Sequence, residues 1–124
     1  MVDSEVGEML LKKFSEKNLI GLCYMDYGFR QVTNSKHPIT RLEDFQDLKI
    51  RTLQNRVYID VFRALGATPL PYPETYTALE TKAIDGQESA YLVTKTSSYQ
   101  DIQSYLTETR HFYLPAVVMV SKKF

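Results

Sequence analysis

The sequence contains a single cysteine, Cys23, and no tryptophan among its 124 residues. One cysteine excludes an intramolecular disulfide and a cysteine-rich metal site. The only histidines are His37 and His111, and neither an HExxH motif nor a pair of CxxC motifs occurs. We therefore expect neither a metal ion nor any other cofactor.

Net charge and long apolar runs are also missing. Fifteen Lys and Arg residues balance fifteen Asp and Glu residues, so the chain has no overall field to attract nucleic acid, although a balanced total still allows a local cationic pocket. The longest apolar run, 113–120, is far below the roughly 18 residues needed to span a bilayer. The N-terminus has no basic segment followed by an apolar run, so no secretory signal is expected within this chain.

Apolar residues make up 44% of the sequence, which is enough to fill a core. Their spacing predicts helices alternating with strands, and hence an α/β domain whose mixed, partly parallel sheet is flanked by helices. The predicted strands are 19–25, buried on both faces around Cys23, then 29–33, 48–53, 67–71 as an edge or connector, 87–93 and 113–121. The predicted helices are 4–18, a two-turn helix through 42–45, 55–66, 73–83 with Tyr76 and Ala83 buried, and 98–106.

Arg51 has the features of an anion-binding residue. It lies near the carboxyl end of a predicted strand, directly before the polar stretch Gln54-Asn55-Arg56 that opens a helix. A guanidinium can hold a carboxylate with two parallel hydrogen bonds, and a helix N-terminus adds free N–H groups. The alternative from the residues alone is a solvated arginine that pairs with Glu43 or Asp47.

The other polar positions give weaker signals. The pattern alone places Arg30 on the surface, and it makes Gly86-Gln87-Glu88-Ser89 a loop after a turn. No GxSxG, P-loop or GxGxxG motif occurs, and neither histidine has a nucleophile nearby in the sequence. Catalysis is therefore not expected.

Four segments of the sequence together resemble the extracytoplasmic solute receptors of TRAP transporters, the DctP-like receptors of tripartite systems for organic acids. They are GFRQVTNSKHPI (28–39), LEDFQDLKIRTLQN (42–55), FRALGATPLPYPETYTALETKAIDGQES (62–89) and VVMVSKKF (117–124). The segment from Ala64 to Glu88 is the most specific. Members of the family are longer, so the chain resembles the central part of one.

The resemblance implies a single α/β domain with the fold of a periplasmic-binding-protein lobe. Most of it would be the second lobe of a two-lobed receptor, with 1–28 and 114–124 as segments that cross between the lobes. Such receptors are periplasmic, are not enzymes, deliver their solute to TRAP membrane subunits, and do not bind nucleic acid. The isolated piece is expected to self-associate, because its inter-lobe surface would be exposed.

The resemblance also implies the binding residues. Arg51 matches the arginine that forms a salt bridge with the solute's carboxylate, such as that of a C4-dicarboxylate, Arg30 matches a second arginine, and Tyr72 matches an aromatic residue of the cleft. Gln54, Asn55 and Ser89 are the expected polar contacts. Relatives commonly have Asn-Pro where this chain has Ser89-Ala90, and the shorter hydroxyl changes what the ligand can bond to. The competing hypotheses are a small cytosolic α/β module that binds an acidic peptide or protein, and an enzyme for an anionic substrate.

Overall fold

A computed structural model describes residues 2–71 and 73–124 of the chain. Its regular elements are α1 (Glu5–Lys13), β1 (Leu19–Asn34), β2 (Lys49–Arg51), α2 (Arg56–Ala64), β3 (Thr68–Leu70), α3 (Thr75–Glu80), β4 (Gly86–Ala90), α4 (Tyr91–Thr96), β5 (Tyr105–Thr107) and β6 (Tyr113–Ser121). Short 3-10 helices cover Phe14–Lys17, Leu42–Phe45 and Tyr99–Asp101. Within the described ranges, no helix has both the length and the apolar character needed to cross a bilayer.

The chain divides into two compact units. The central unit is Phe29–Phe112, and the terminal unit combines the chain up to Gly28 with Tyr113–Phe124. In the terminal unit, β6 pairs with β1, and the Tyr24 hydroxyl donates to the Gly7 carbonyl at 3.0 Å.

The sheet of the central unit has the strand order β3-β2-β4-β1-β5. β2 runs parallel to β3 and β4, whereas β1 is antiparallel to β4 and β5. This confirms the predicted α/β fold with a mixed, partly parallel sheet. β3 is the edge strand next to β2, as Pro69 within it and Pro71 just after it indicate.

Two hydrophobic clusters fill the central unit. The first contains Val32, Ile50, Phe45 and Phe62, and the second contains Ala78, Leu79, Ile84 and Tyr99. Successive residues of a strand point to opposite faces of the sheet, and in β2 this alternation buries Ile50 and leaves Lys49 exposed. Phe62 brings α2 into the first cluster, and Ala78 and Leu79 bring α3 into the second.

The helix predicted at 55–66 is present as α2. The side chain of Asn55 accepts a hydrogen bond from the Val57 N–H at 2.9 Å, which is an N-cap. Tyr58 and Phe62, four residues apart, are its buried side chains. Gly66 follows the helix with a φ of 86°, a conformation that suits glycine. The sequence at 113–121 likewise forms β6 over the range expected.

The break predicted at 26–28 is wrong. β1 is continuous, because Gly28 takes a φ of 84° and its N–H donates to the Asp26 side chain at 2.8 Å, so the turn residues are absorbed within the strand. The predicted burial of 19–25 is also wrong. Cys23 is exposed, as are Ile20, Leu22 and Met25.

Two predictions overlap at 86–93, and the structure supports the strand expected at 87–93 over the loop expected at 86–89. The segment Gly86–Ala90 forms β4, which is buried along its whole length, and the strand ends there instead of reaching residue 93. Polar side chains are tolerated there because they find partners, as the Gln87 amide does by donating to Thr33 Oγ1 at 3.0 Å. The predicted strand is therefore present in shortened form, and its polar residues lie in the centre of the sheet.

Two predicted helices differ from the structure. α3 is shorter than 73–83 and buries Thr75, Ala78 and Leu79, whereas Tyr76 and Ala83 are exposed. The segment 98–106 forms one 3-10 turn and then β5, whose pairing with β1 replaces the expected helix. A strand partner distant in sequence overrides the local helical spacing here.

The helix expected through 42–45 is a single 3-10 turn, capped by Asp44. Its carboxylate accepts hydrogen bonds from the Thr40 N–H at 2.8 Å, the Thr40 hydroxyl at 2.9 Å and the Arg41 N–H at 3.1 Å. These bonds, led by the Thr40 N–H, lower the pKa of Asp44 to about 2. The Asp44 carboxylate therefore fixes the start of this turn.

The lowered pKa of Asp44 predicts how this turn responds to acid. The stabilisation is complete above the ordinary carboxyl pKa of 3.8 and is lost as the pH falls from there towards 2. NMR titration of the Asp44 carboxyl carbon should give a midpoint near 2, together with a shift of the Thr40 amide. A midpoint at 3.8 would contradict the cap, and Glu43→Gln, an exposed neighbour, should leave the titration unchanged.

Candidate functional site

Three parallel strands of the central unit end at one rim of the sheet. Arg51, Leu70 and Ala90 are the last residues of β2, β3 and β4. β1 runs in the opposite direction and places Arg30 opposite Ala90. We call this rim the carboxyl edge. In open α/β sheets, ligands bind beyond such strand ends.

Five of the six predicted binding residues belong to the carboxyl edge. Arg51 ends β2 and is partly buried, Gln54 and Asn55 follow it and are exposed, and Ser89 and Arg30 lie on the paired strands β4 and β1. The sixth, Tyr72, lies outside the described residues. The topology therefore gathers residues that are up to about sixty positions apart in the sequence.

The two arginines lie on opposite faces of the sheet. Arg51 is paired with Gln87 of β4. Ser89, two residues further along β4, lies on the same face as Gln87 and is paired with Gln31 of β1. Arg30 is paired with Ala90, the residue after Ser89, and therefore points to the opposite face of the sheet. Arg51 and Arg30 are therefore at one rim without sharing a face.

Arg30 is only 3% exposed, which corrects the prediction of a surface residue. It forms a bidentate ion pair with Glu88, in which Nε and Nη2 donate to the two carboxylate oxygens, and Nη2 also donates to the Glu88 carbonyl at 2.6 Å. The guanidinium lies 5.4 Å from the centre of the Tyr58 ring. Burial is tolerated because the charge is paired and hydrogen-bonded.

His111 joins this pair. Its Nε2 lies 3.2 Å from a Glu88 oxygen, and its Nδ1 lies 2.7 Å from the Thr109 hydroxyl. An ionised carboxylate only accepts, so Nε2 carries the proton, and in the neutral ring Nδ1 accepts from Thr109. Burial is the main cause that raises the pKa of the nearby Tyr58 phenol. We call Arg30, Glu88 and His111 the buried ionic cluster.

Sequence reasoning missed Glu88 and His111. Glu88 falls in a stretch that the sequence predicts both as a loop and as part of a strand, and His111 has no partner near it in the sequence. The only clue to the partnership of Glu88 and Arg30 is the strand pairing, since they lie on the same face of the sheet once β4 and β1 are paired in antiparallel register. That register depends on contacts across 58 positions.

Two of the polar residues near Arg51, Ser89 and Asn55, also contribute to the fold. Ser89 is 5% exposed and lies in a central strand, so the expectation of a turn residue is wrong. The carbonyl oxygen of the Asn55 side chain caps α2, which leaves its NH2 group to donate elsewhere. Gln54 is exposed just before the helix. A ligand at Arg51 would meet donors more than acceptors.

The chemistry of the carboxyl edge is that of anion binding. Arg51 brings a guanidinium to a strand end just before the N-terminus of the nine-residue helix α2. Over residues 2–71 and 73–124, no three His, Cys, Asp or Glu side chains are grouped as a metal site would require.

Comparison with known proteins matches this chain along its whole length. The family model DctP, described as bacterial extracellular solute-binding protein, family 7, matches residues 1–124. The chain is 38% identical over 123 residues to the 2,3-diketo-L-gulonate-binding periplasmic protein YiaO of Escherichia coli. That match covers 98% of this chain and 38% of YiaO, so the chain spans about two-fifths of this relative's length.

Solved structures give the same result. The sugar acid binding protein DctPAm of Advenella mimigardefordensis, in complex with galactonate, is 46% identical with a TM-score of 0.90, over 98% of this chain and 40% of that one. A TRAP periplasmic solute binding protein of a Polaromonas species, bound to D-erythronate, is 41% identical with a TM-score of 0.91, over 98% and 41%. The family is one of solute-binding receptors and not a class of enzymes. The chain therefore belongs to the DctP family of bacterial extracellular solute-binding proteins.

Proposed function

We propose that this chain is the carboxylate-binding part of a periplasmic receptor for a TRAP-type transporter. The observation that carries the proposal is the position of Arg51, partly exposed at the end of β2 and just before α2. An organic anion can be captured there by charge and by hydrogen bonds without any catalytic group. The competing interaction module has no comparable observation in its favour.

Arg51 takes the carboxylate in this proposal. Its guanidinium donates two parallel hydrogen bonds to the two carboxylate oxygens, and the N-terminus of α2 adds a favourable partial positive charge. Asn55 satisfies the Val57 N–H and can donate from its amide group, with Gln54 beside it. Ser89 supplies a hydroxyl one strand away. Tyr72 is proposed as a wall of the site from the family resemblance alone.

Arg30 is proposed as the second cation, with a restricted role. Glu88 occupies its Nε and Nη2, so a ligand would have to be held by Nη1. The carboxylate of Glu88 also cancels most of its charge, because both groups are buried at short distance. In this proposal Arg51 is the anchor for the carboxylate, and Arg30 contributes at most one directed hydrogen bond.

The ligand class follows from the relatives. Galactonate and D-erythronate, held by two of them, are monocarboxylates with several hydroxyl groups. We propose a sugar acid as the solute, in place of the C4-dicarboxylate that the sequence first suggested. A single strong cation, with amide and hydroxyl groups around it, suits one carboxylate and a hydroxylated chain.

The wider receptor is also a proposal. The central unit would be the ligand-binding lobe, and the segments 1–28 and 114–124 would cross to the other lobe. The solute would be enclosed with polypeptide beyond these residues and passed to TRAP membrane subunits. The exposed apolar side chains of Ile20, Leu22 and Met25 support the expectation that the isolated piece self-associates.

A binding screen tests the proposed function. The natural polypeptide that carries these residues should be stabilised in a thermal-shift assay by D-galactonate or D-erythronate, and calorimetry should then give a dissociation constant. Galactitol, which has the hydroxyls of galactonate without its charge, is the matched control and should not bind. Equal binding of galactitol, or no response to any carboxylate in the panel, would contradict the proposal.

A further inference from the structure

A second polar group lies beside the carboxyl edge and has no part in the carboxylate site. The Tyr91 hydroxyl donates to Glu108 Oε1 at 2.5 Å, and Arg110 Nη2 donates to Glu108 Oε2 at 2.9 Å. Tyr91 is 46% exposed, and the side chains of Glu108 and Arg110 are more than half exposed. We call these three residues the rim cluster. Its polar atoms are accessible to a ligand.

The rim cluster is held in place by buried parts of the sheet. The Arg110 N–H donates to the side chain of Gln31, a buried residue of β1, at 2.9 Å. Next to it, the Arg30 N–H donates to the Phe112 carbonyl at 2.8 Å. Arg110 also has a φ of 44°, a conformation that side chains rarely adopt and that the surroundings must enforce. The segment is therefore fixed to the strand, unlike an ordinary solvated loop.

The rim cluster flanks the proposed carboxylate site. Tyr91 directly follows Ala90, the last residue of β4. Gln31, which holds Arg110, is paired with Ser89, on the same face as the position of β4 that pairs with Arg51. A ligand anchored at Arg51 and extending across the end of β4 would therefore approach the rim cluster.

The chemistry of the rim cluster suits hydroxyl groups. The hydrogen bonds from Tyr91 and Arg110 lower the pKa of Glu108, and the bond to Glu108 raises the pKa of Tyr91. At neutral pH the cluster thus offers an ionised carboxylate as acceptor, a guanidinium as donor and a phenol that does both. A pair of neighbouring hydroxyls can donate to the first and accept from the second. A second carboxylate on the ligand would have to compete with Glu108 for Arg110, and it could not donate to Glu108 as a hydroxyl does.

We propose that Tyr91, Glu108 and Arg110 form a hydroxyl-binding subsite that makes this receptor prefer polyhydroxylated monocarboxylates to dicarboxylates. This inference rests on the proposed function, because the subsite acts on a ligand whose carboxylate is held at Arg51. It assigns specificity to residues outside the anchor.

Calorimetry with two probes tests the subsite. D-Galactonate represents the hydroxylated monocarboxylates and succinate represents the dicarboxylates. Glu108→Gln removes the negative charge and keeps the shape of the side chain. It should weaken the binding of galactonate roughly tenfold, whereas succinate should bind equally or more tightly. Tyr91→Phe should weaken the binding of galactonate roughly threefold or more without affecting the binding of succinate. Glu43→Gln, at an exposed carboxylate in the 3-10 helix Leu42–Phe45, is the control and should change neither dissociation constant.

The outcomes separate the two proposals. If the parent protein binds galactonate and Glu108→Gln leaves the ratio of the two dissociation constants unchanged, the subsite is refuted and the proposed function stands. An equal loss for both probes would show that the cluster only supports the fold, which also refutes the subsite. If the parent protein binds no carboxylate, the proposed function fails and the subsite fails with it.

Discussion

Replacing Arg51 with alanine is expected to abolish carboxylate binding. In the proposed site Arg51 donates both hydrogen bonds to the carboxylate, whereas Glu88 already occupies Nε and Nη2 of Arg30. Removing one side of a desolvated, hydrogen-bonded charge pair costs about 3–5 kcal/mol, which is roughly two to four decades in the dissociation constant. Calorimetry with D-galactonate on the natural polypeptide measures this loss.

A conservative variant and a control sharpen this prediction. Arg51→Lys should also bind poorly, because an ammonium group cannot reproduce the two parallel hydrogen bonds of the fork. Lys49→Ala removes a positive charge from the same strand, two residues earlier and exposed, and should leave the affinity unchanged. Arg51→Ala binding within threefold of the parent protein would show that the anchor lies elsewhere.

Replacing Glu88 with alanine is expected to give the largest loss of stability. Glu88 is fully buried and neutralises the buried guanidinium of Arg30, so its removal leaves an uncompensated charge in the interior. Such changes lower the free energy of unfolding by about 3–5 kcal/mol. This is a large part of the total for a typical domain, which is about 5–15 kcal/mol. The free energy of unfolding in urea, measured with and without the substitution, gives the difference.

Two further variants separate charge from packing at Glu88. The double variant Arg30→Met with Glu88→Leu removes both charges and should recover most of the stability, because an apolar pair of similar volume needs no compensation. Asp60→Ala breaks an exposed pair with Arg56 and should cost no more than about 1 kcal/mol. A loss of that small size for Glu88→Ala would mean that the buried cluster is not an ionic one.

Local sequence patterns predicted those elements whose signals lie within a few residues. α2 is an example, since the cap at Asn55, the buried pair Tyr58 and Phe62, and the terminating Gly66 are all set by neighbouring residues. The alternation that buries Ile50 in β2 belongs to the same class. The position of Arg51 at a strand end was therefore available from the sequence.

The failures occur where distant partners decide the structure. The polar residues at 86–89 are typical of a loop as well as of the predicted strand, and only the pairing with β1 and β2 places them at the centre of the sheet. Arg30 looks exposed until Glu88 is brought to the same face across the sheet. The binding roles came from the family resemblance, since no pattern in the sequence separates a ligand-binding arginine from a solvated one.

The most direct test of a carboxylate receptor anchored at Arg51 is a crystal structure of the natural polypeptide with D-galactonate bound. The account predicts that both carboxylate oxygens lie within hydrogen-bonding distance of the Arg51 guanidinium, with the hydroxylated chain directed across the end of β4. A structure in which the carboxylate is held by other residues, and Arg51 is left in contact with solvent alone, would contradict it.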